Sequence, residues 1–351
     1  MRVALLFASA AAEPRNFTGY TFEAFQEEHG KQYSAGEVEQ RREIFERNLQ
    51  RVKEHNEAYL AGQHRWYMAM NHLADQTPEE LKRMRGHKKG QTQGVPLAQL
   101  EAQANPASVD WRTKGVLTPV KNQGQCGSCW AFASTETVES AFAIATGKLV
   151  ELAPQTYVSC MKNPDECGGT GGCEGAIAEL AFNYTAEHGL AAAADYPYTA
   201  SDSPCQSYTP AVKVGGYVKL PANDASALET ALATKGPIAV SVAAEPWSLY
   251  GGGIFDGCTG ASGTDVDHAV QAVGYSADYW IIRNSWGSSW GEGGFIRLSR
   301  SKDSTMQTDS TPADGYACKP YPSSLQIAGE CGVLSDSAYP TGASAGLQIV
   351  V

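Results

Sequence analysis

Cysteine is the residue type with the greatest chemical potential in this chain. All nine cysteines follow residue 105. They are Cys126, Cys129, Cys160, Cys167, Cys173, Cys205, Cys258, Cys318 and Cys331. Because nine is odd, an oxidising compartment would pair eight of them and leave one free thiol. Only Cys126 and Cys129 share the local spacing of a zinc site, so we expect neither a metal nor an organic cofactor.

Cys129 has the setting of a reactive thiol. It directly precedes the apolar segment 130–145, which Gly147 ends as glycine commonly ends a helix. A helix N-terminus carries roughly half a positive charge, which favours a thiolate at that position. A structural disulfide is the alternative role for any secreted cysteine. The odd count requires one exception, and Cys129 is the candidate.

A thiolate nucleophile needs a base, and only two histidines follow residue 105. His188 ends a predicted helix, where the helix dipole favours a cation and a local structural role suffices. His268 begins an apolar strand and is the candidate base by elimination. Asn284 could accept the other imidazole N–H, and Trp286 or Trp290 could shield that bond from water. A strand-ending turn is the alternative explanation for the Asn-Ser-Trp-Gly sequence.

The region before residue 86 is predicted to be mainly helical. Residues 20–85 are rich in charged side chains, contain few glycines or prolines, and show a helical periodicity. The residues on one predicted helix face are Glu37, Arg41, Phe45, Asn48, Val52 and Asn56. Glu37 and Arg41 also have the spacing of an intrahelical ion pair, although an ordinary amphipathic helix explains the whole pattern. A short strand is predicted over residues 65–71.

A second helix is predicted to start after Thr77, with Pro78 at its first position and Glu80 at its third. Residues 86–104 lack periodicity, which predicts an exposed linker open to proteases.

After residue 105 the pattern changes from helices to strands. A helix is predicted over residues 176–187, and the segment 301–322 is polar enough to predict a surface loop. The predicted strands are 212–220, 238–243, 269–275, 279–284 and 294–300. Helices followed by strands predict an α+β body with two halves.

Composition excludes several classes of protein. The net charge of −11 argues against nucleic acid as a partner. No uninterrupted apolar stretch approaches the ~20 residues that span a bilayer. Residues 1–104 hold 14 basic and 14 acidic residues, so the whole net charge lies after them. Arg2, followed by an apolar run that ends in small residues, predicts a secretory signal peptide over residues 1–12.

These motifs together resemble a papain-like cysteine protease of the cathepsin L type in its proenzyme form. The sequence Cys-Gly-Ser-Cys-Trp at 126–130 matches the nucleophile signature. The helical series resembles the ERFNIN pattern of the prodomain, with Val52 in place of Ile. Residues 69–75 resemble the Gly-x-Asn-x-Phe-x-Asp motif, with Ala69 and Leu73 replacing Gly and Phe. Residues 109–112 resemble the start of a mature enzyme.

The resemblance implies an organisation and a fold. A signal peptide would occupy residues 1–12, an inhibitory prodomain and linker 13–104, and the mature protease domain 105–351. The implied fold is α+β, with a helical left half, an antiparallel β-barrel-like right half and a cleft between them. The mainly helical prodomain would block this cleft.

The resemblance also implies a cysteine endopeptidase made as an acid-activated zymogen. Cys129 would be the nucleophile, His268 the base and acid, and Asn284 the residue that orients the imidazole. Gln123 and the backbone N–H of Cys129 would stabilise the oxyanion. Asp75 would be an acid sensor in the prodomain, although a turn-capping aspartate is an equal alternative.

Substrate binding is assigned by the same resemblance. The edge of the cleft would be Gly175 and Ala176, where alanine replaces the usual second glycine, and Trp286 would lie beside it. The pocket for P2, the second residue before the cleaved bond, would consist of Ile177, Ala178, Ser241, Ala269 and Asp336. A carboxylate at Asp336 implies that arginine is accepted beside apolar side chains.

Three disulfides are implied by the resemblance: Cys126–Cys173, Cys160–Cys205 and Cys258–Cys331. Cys167 and Cys318 are additional and would pair with each other by elimination.

The expected partners are polypeptide substrates and the chain's own prodomain. Nucleic acid and a membrane span are not expected. We expect a monomer in a lysosome-like acidic compartment or outside the cell. Two other functions stay open. A catalytically silent relative could serve as a storage, scaffold or binding protein, which the intact Gln123, Cys129, His268 and Asn284 argue against. An inhibitor acting through residues 13–104 is the other, and the complete protease body argues against it.

Overall fold

A computed structural model of the chain describes residues 13–86, 105–260, 263–312 and 317–346. The predicted signal peptide and residues 87–104 of the predicted linker lie outside the described residues. No helix among the described residues combines the length and the apolar character that crossing a membrane requires.

The prodomain begins with helices α1 (Phe22–His29) and α2 (Val38–Leu60), which pack through aromatic rings. The rings of Phe22 and Phe25 lie 5.6 and 5.1 Å from that of Phe45 on α2. Strand β1 (Trp66–Met68) and helix α3 (Pro78–Arg83) follow, as predicted. The Thr77 hydroxyl caps α3 and Glu80 completes the capping box.

Glu37 and Arg41, whose spacing would allow an intrahelical ion pair, each hydrogen-bond to another partner. Arg41 instead donates two hydrogen bonds to Glu80 on α3, at 2.5 and 2.6 Å. Glu37 accepts hydrogen bonds from the backbone and hydroxyl of Ser34. A two-pronged contact with a partly buried carboxylate is stronger than an exposed pair along one helix, which explains the choice.

The described residues after position 105 contain four α-helices. They are α4 (Cys129–Thr146), α5 (Pro154–Cys160), α6 (Ala178–His188) and α7 (Ala225–Thr234). Helix α4 is buried along most of its length and ends at Gly147, whose φ of 72° suits a left-handed cap. The bounds of α4 and α6 agree with the prediction within two residues, whereas α5 and α7 were not predicted.

Most strands of this part form one sheet with β1 of the prodomain. The strands of the sheet are β2 (Val109–Asp110), β4 (Gly216–Lys219), β5 (Ile238–Val242), β6 (Tyr250–Phe255), β7 (His268–Tyr275), β8 (Tyr279–Arg283), β9 (Phe295–Ser299) and β12 (Ser337–Thr341). Two separate ribbons pair β10 (Met306–Asp309) with β11 (Leu325–Ala328), and β3 (Val212–Lys213) with β13 (Ser344–Ala345).

The strand order is β1-β6-β9-β8-β7-β5-β12-β4, with β2 added beside β7. The α+β fold is confirmed, but the expected antiparallel β-barrel needs two corrections. Strands β6 and β9 run parallel, so the sheet is mixed. Among the described residues β1 and β4 remain the two ends of the order, so the strands form no closed barrel. At one end of the order, the prodomain strand β1 pairs with β6.

The predicted surface loop 301–322 is also partly wrong. Within it, β10 forms a hairpin-like ribbon with β11, and Cys318 is bonded to Cys167. Strand β10 has the sequence Met-Gln-Thr-Asp, which carries little apolar alternation. Backbone pairing and a disulfide, rather than an apolar face, therefore order this segment. Residues 313–316 lie outside the described residues.

Two apolar cores place the site between them. One surrounds α4 and contains Trp130, Tyr157 and Phe182. The other lies between the sheet and the prodomain and contains Trp247 and Trp280. Helix α4 packs against β7, so the first residues of these two elements, Cys129 and His268, face the boundary of the two halves.

Candidate active site

Cys129 is the first residue of α4, and it is buried. It is the free cysteine that the odd count predicted. The other cysteines form the pairs Cys126–Cys173, Cys160–Cys205, Cys167–Cys318 and Cys258–Cys331. All four expected disulfides are therefore present, including the pair reached by elimination.

Burial dominates the chemistry of this thiol in the proenzyme. It raises the pKa of Cys129 to about 11, although the backbone N–H groups of Ala269, Gly86 and Trp130 face the sulfur and lower the pKa. The end of helix α4 was expected to favour the thiolate. Desolvation outweighs that effect here because the prodomain covers the sulfur.

His268 is held by Asn284. The Nε2 of His268 donates to the Oδ1 of Asn284 at 2.8 Å, and the same oxygen accepts the backbone N–H of Ser285 at 2.8 Å. The centroid of the Trp286 ring lies 4.9 Å from that of the imidazole, so Trp286 is beside the hydrogen bond that it was expected to shield. All three side chains are buried, so the ring orientation is fixed and the hydrogen bond is kept from water.

Gln123 presents its amide to the prodomain. Its Nε2 donates to the carbonyl of Met84 at 2.7 Å and to the carbonyl of Cys126 at 2.9 Å. The hydroxyl of Ser285 donates to its Oε1 and fixes which end of the amide faces the cleft. The contacts of Met84 and Ser285 could not be predicted from the sequence, because each depends on a partner far along the chain.

The prodomain crosses the cleft through a passage of glycines. A Cβ on Gly86 would lie 1.8 Å from the carbonyl oxygen of Gly127, and a Cβ on Gly175 would lie 2.1 Å from that of Gly86. Only residues without side chains permit so close an approach. Gly86 is buried there, which corrects its expected place in an exposed linker.

An ion pair fastens the same segment beside His268. The Nε of Arg85 lies 2.6 Å from the Oδ2 of Asp267, and both side chains are almost fully buried. The backbone N–H of Ala244 donates to the other oxygen of Asp267. Burial raises the pKa of Asp267 to about 6, against the lowering effect of Arg85.

The residues predicted for the substrate pocket lie together, with one exception. Ala178, Ser241, Ala269 and Asp336 line one cavity, together with Glu179, Ala239, Val240 and Ala338. Ile177 instead packs in a separate apolar cluster with Val266 and Ile327.

The residues expected at the edge of the cleft, Gly175 and Ala176, shortly precede the cavity-lining Ala178 in the sequence. Gly175 faces Gly86 of the prodomain, and Ala176 is buried. Sequence reasoning missed Glu179, which lines the cavity, and Lys219, which contacts Glu179 and Asp336. A lysine on an edge strand gives no signal that it reaches a pocket formed by other elements.

The body of the prodomain docks on the protease half through a shared sheet. Strand β1 pairs antiparallel with β6, and Trp66 lies with its ring 4.6 Å from that of Phe255. The side-chain amide of Asn71 donates to the carbonyl of Ser248 at 2.8 Å. These contacts hold the segment 84–86 over the thiol.

Asp75 is buried inside the prodomain. It pairs with Lys31 at 3.1 Å and accepts a hydrogen bond from the hydroxyl of Tyr33. Burial raises its pKa above the ordinary value for an aspartate, in spite of the nearby ammonium group. It is an internal partner of two prodomain side chains rather than a turn cap.

Comparisons with known proteins agree with this geometry. A model described as the papain family cysteine protease matches residues 105–315, and one described as the cathepsin propeptide inhibitor domain matches residues 22–81. A cathepsin L-like proteinase of Phaedon cochleariae is 39% identical over 290 residues, covering 80% of this chain and 88% of the relative. Procathepsin L of Mus musculus is 40% identical over 297 residues, and the match covers 78% of this chain and 85% of the relative.

Solved structures give the same result. Digestive procathepsin L 3 of Tenebrio molitor larval midgut superposes with a TM-score of 0.75 and 32% identity, covering 91% of this chain and 97% of that one. A recombinant stem bromelain precursor superposes with a TM-score of 0.73 and 32% sequence identity, and the match covers 92% of this chain and 97% of the precursor. The chain belongs to the papain family of cysteine proteases. Within that family it is a cathepsin L-type proenzyme that carries its own propeptide inhibitor domain.

Proposed function

We propose that the activated chain is a cysteine endopeptidase that uses Cys129, His268, Asn284 and Gln123. One observation carries the proposal. A peptide carbonyl of the chain's own prodomain, that of Met84, accepts a hydrogen bond from Gln123 beside the free thiol. A group that binds one peptide carbonyl at this point can bind the carbonyl of a substrate.

The reaction follows from these positions. With the prodomain removed, the thiol gives its proton to His268, and the thiolate attacks the peptide carbonyl. Gln123 and the backbone N–H of Cys129 stabilise the oxyanion, and one such donor is typically worth about 3 kcal/mol. His268 then protonates the leaving amine, and it activates the water that hydrolyses the thioester.

Asn284 acts through His268. Its Oδ1 accepts the Nε2 proton, so Nδ1 is the ring nitrogen that exchanges a proton with the sulfur. Trp286 excludes water from the bond between them. Asn284 is therefore a positioning residue that keeps the reacting nitrogen aimed at the thiol.

Activation by acid is supported by two groups of the prodomain. The pKa of His72 is lowered to about 4 by burial and by the charges of Lys31 and His29. Between its ordinary pKa of 6.5 and that value, the unfolded prodomain binds a proton that the folded and docked one does not, so the folded and docked form loses stability as pH falls. The hydrogen bond of Arg41 lowers the pKa of Glu80 to about 2, so this pair also loses stability at acidic pH.

Protonation of Asp75 has the opposite effect on the stability of the prodomain. Its pKa in the folded prodomain is raised, so the folded form binds the proton more tightly and gains stability relative to the unfolded form as pH falls. We therefore assign the response to acid to His72 and Glu80 and not to Asp75.

The P2 pocket is proposed to prefer apolar side chains. Its walls contain the small apolar side chains of Ala178, Ala239, Ala269 and Ala338, which suit an apolar substrate side chain. Asp336 at its closed end is the group that would admit arginine, but this carboxylate also contacts Lys219. An Asp336→Ala variant that cleaves arginine-containing substrates as well as the wild type does would exclude a role for Asp336 in binding them.

The proposed partners are polypeptide substrates and the chain's own prodomain, and the proposed active form is a monomer. The proposed site of action is a lysosome-like acidic compartment or the extracellular space. A function in acid agrees with the direction of the His72 and Glu80 shifts.

The test is to incubate the proenzyme with a thiol reductant at about pH 4–5, below the ordinary pKa of histidine. We expect self-cleavage near residue 105, followed by hydrolysis of a dipeptidyl substrate. Cys129→Ala is the control and should stay intact. Absence of cleavage in every acidic and reducing condition would favour a silent binding protein instead.

A further inference from the structure

We propose that Lys219 is a specificity-determining residue, because it supplies from within the chain the cation that a P2 arginine would otherwise bring to the pocket. This inference rests on the proposed peptidase function. It concerns the closed end of the cavity that Asp336 lines.

Lys219 lies between two carboxylates from different elements. Its Nζ lies 2.5 Å from the Oε1 of Glu179 on α6 and 2.6 Å from the Oδ1 of Asp336, which directly precedes β12. The second oxygen of Asp336 accepts the hydroxyl proton of Ser241 at 3.0 Å. An incoming guanidinium would therefore meet two carboxylates that each already contact the ammonium group of Lys219.

Strand pairing fixes the lysine in this place. Lys219 is the last residue of β4 and lies opposite Ala338 of β12, which itself lines the cavity. Its side chain is 22% exposed, whereas those of Glu179 and Asp336 are 1% and 7% exposed. The ammonium group thus reaches inward from the rim while the two acids remain buried.

Burial affects the net charge of the cluster formed by Glu179, Lys219 and Asp336. Two carboxylates and one ammonium group would leave one negative charge, but burial and the charge of Asp336 raise the pKa of Glu179. Both effects favour the neutral form of Glu179, and Lys219 contacts both carboxylates. A P2 arginine would bring a second cation close to Lys219, and like charges in a poorly solvated site repel each other.

The apolar walls remain available to other substrates. Leucine or phenylalanine at P2 needs no partner at the closed end of the pocket. The wild-type enzyme is therefore expected to discriminate against arginine, although a carboxylate lies where arginine-accepting relatives would need one.

The experiment compares two fluorogenic peptides that differ only in leucine or arginine at P2. For the wild type we expect kcat/KM for the arginine peptide to lie at least about tenfold below that for the leucine peptide. For Lys219→Met the arginine-to-leucine ratio should rise about tenfold or more, because the guanidinium can take the place of the ammonium group. Lys235→Met, at an exposed position after α7, is the matched control and should leave the ratio unchanged.

A second variant keeps the inference testable if Lys219→Met does not fold. Lys219→Met leaves two buried acids without their cation, which can destabilise the chain. The double variant with Lys219→Met and Glu179→Gln keeps one acid, Asp336, at the closed end, and we expect the same rise in the ratio. Asp336→Asn with Lys219 intact should not raise it.

The outcomes are distinct. Equal cleavage of both peptides by the wild type would overturn the inference, as would an unchanged ratio in the folded double variant. If the leucine peptide is cleaved normally, the proposed peptidase function survives either result. If no variant cleaves either peptide after removal of the prodomain, the proposed function fails and the inference fails with it.

Discussion

Cys129 illustrates how the neighbours of one side chain decide its chemical state. Its place at the start of α4 favours the thiolate, yet burial raises its pKa to about 11 while the prodomain covers it. We therefore expect the thiol to stay protonated before activation and its pKa to fall when the covering segment leaves. Inhibition at this scale is desolvation of the nucleophile as well as obstruction of the cleft.

Gln123 is expected to act mainly on the transition state. Gln123→Ala in the activated enzyme should lower kcat about 100-fold or more while KM changes little, since an oxyanion forms only during reaction. Steady-state kinetics with titrated active sites measures this. Gln125→Ala, an exposed position two residues away, is the control. A change confined to KM would contradict the assigned role.

His72 is expected to set the pH at which activation begins. It faces the hydroxyl of Ser289 across the docking surface, and glutamine can accept the same hydrogen bond without titrating. Because protonation of His72 weakens docking below its ordinary pKa, His72→Gln should shift the midpoint of self-cleavage to lower pH.

The measurement for His72 is the amount of intact proenzyme after a fixed time across a pH series. His188→Gln replaces an exposed histidine of the protease half and should leave the midpoint unchanged. A midpoint that stays fixed in His72→Gln would assign the acid response to Glu80 or to other groups.

At the scale of elements, the inhibitory segment depends on supports at a distance from it. Strand β1 extends the sheet of the protease half, and α3 leads from the prodomain body to the cleft. The segment 84–86 follows directly from α3 and passes between Gly127 and Gly175. Docking of the elements thus determines where the segment crosses, and the glycines determine how closely.

Gly86→Ala should uncover the thiol without removing the prodomain. The new methyl group would collide with the carbonyl of Gly127, and overpacking of this kind typically costs about 1–3 kcal/mol. We therefore expect alkylation of Cys129 by iodoacetamide in the intact proenzyme to quicken about five- to 100-fold at neutral pH. Gly36→Ala, where nothing lies within 4 Å, is the control. Equal alkylation rates in both variants would contradict the proposed passage.

At the scale of the whole molecule, disulfides join regions that the strand order leaves apart. Cys167 precedes α6 in the helical half, and Cys318 follows β10. Their sequence separation is 151 residues, the largest among the four disulfides of the chain. This bond therefore ties the ribbon of β10 and β11 to the helical half.

Removal of this disulfide should destabilise the whole chain. The double variant of Cys167→Ser and Cys318→Ser, in a Cys129→Ala background that prevents self-cleavage, should lose about 2–5 kcal/mol of unfolding free energy. Denaturant titration of the proenzyme at neutral pH measures this loss. The pair Cys160 and Cys205, separated by 45 residues, is the comparison and should cost about 1 kcal/mol less in the chain-entropy account. A loss smaller than that of the shorter loop would contradict this account.

Much of the fold could be predicted because its signals are local. Helix α4, the capping box of α3 and strands β5, β7, β8 and β9 follow from periodicity and capping residues within a few positions. The ribbon of β10 and β11 could not be predicted, since a strand with no apolar alternation is defined only by its partner. The contact of Arg41 with Glu80 could not be predicted, because the two residues are 39 positions apart and meet only when α2 packs against α3.

The sequence by itself determined which atoms can react. One unpaired sulfur at a helix start, one histidine at a strand start and an asparagine near a tryptophan are properties of residue type and spacing. The tertiary structure decided the state of those atoms and the character of the pocket. Lys219, Glu179 and Asp336 lie on or beside β4, α6 and β12, and they meet only when these elements pack. Burial and charge pairing depend on distance in space, so they decide the pKa of Cys129 and the charge of the P2 pocket only after the chain has folded.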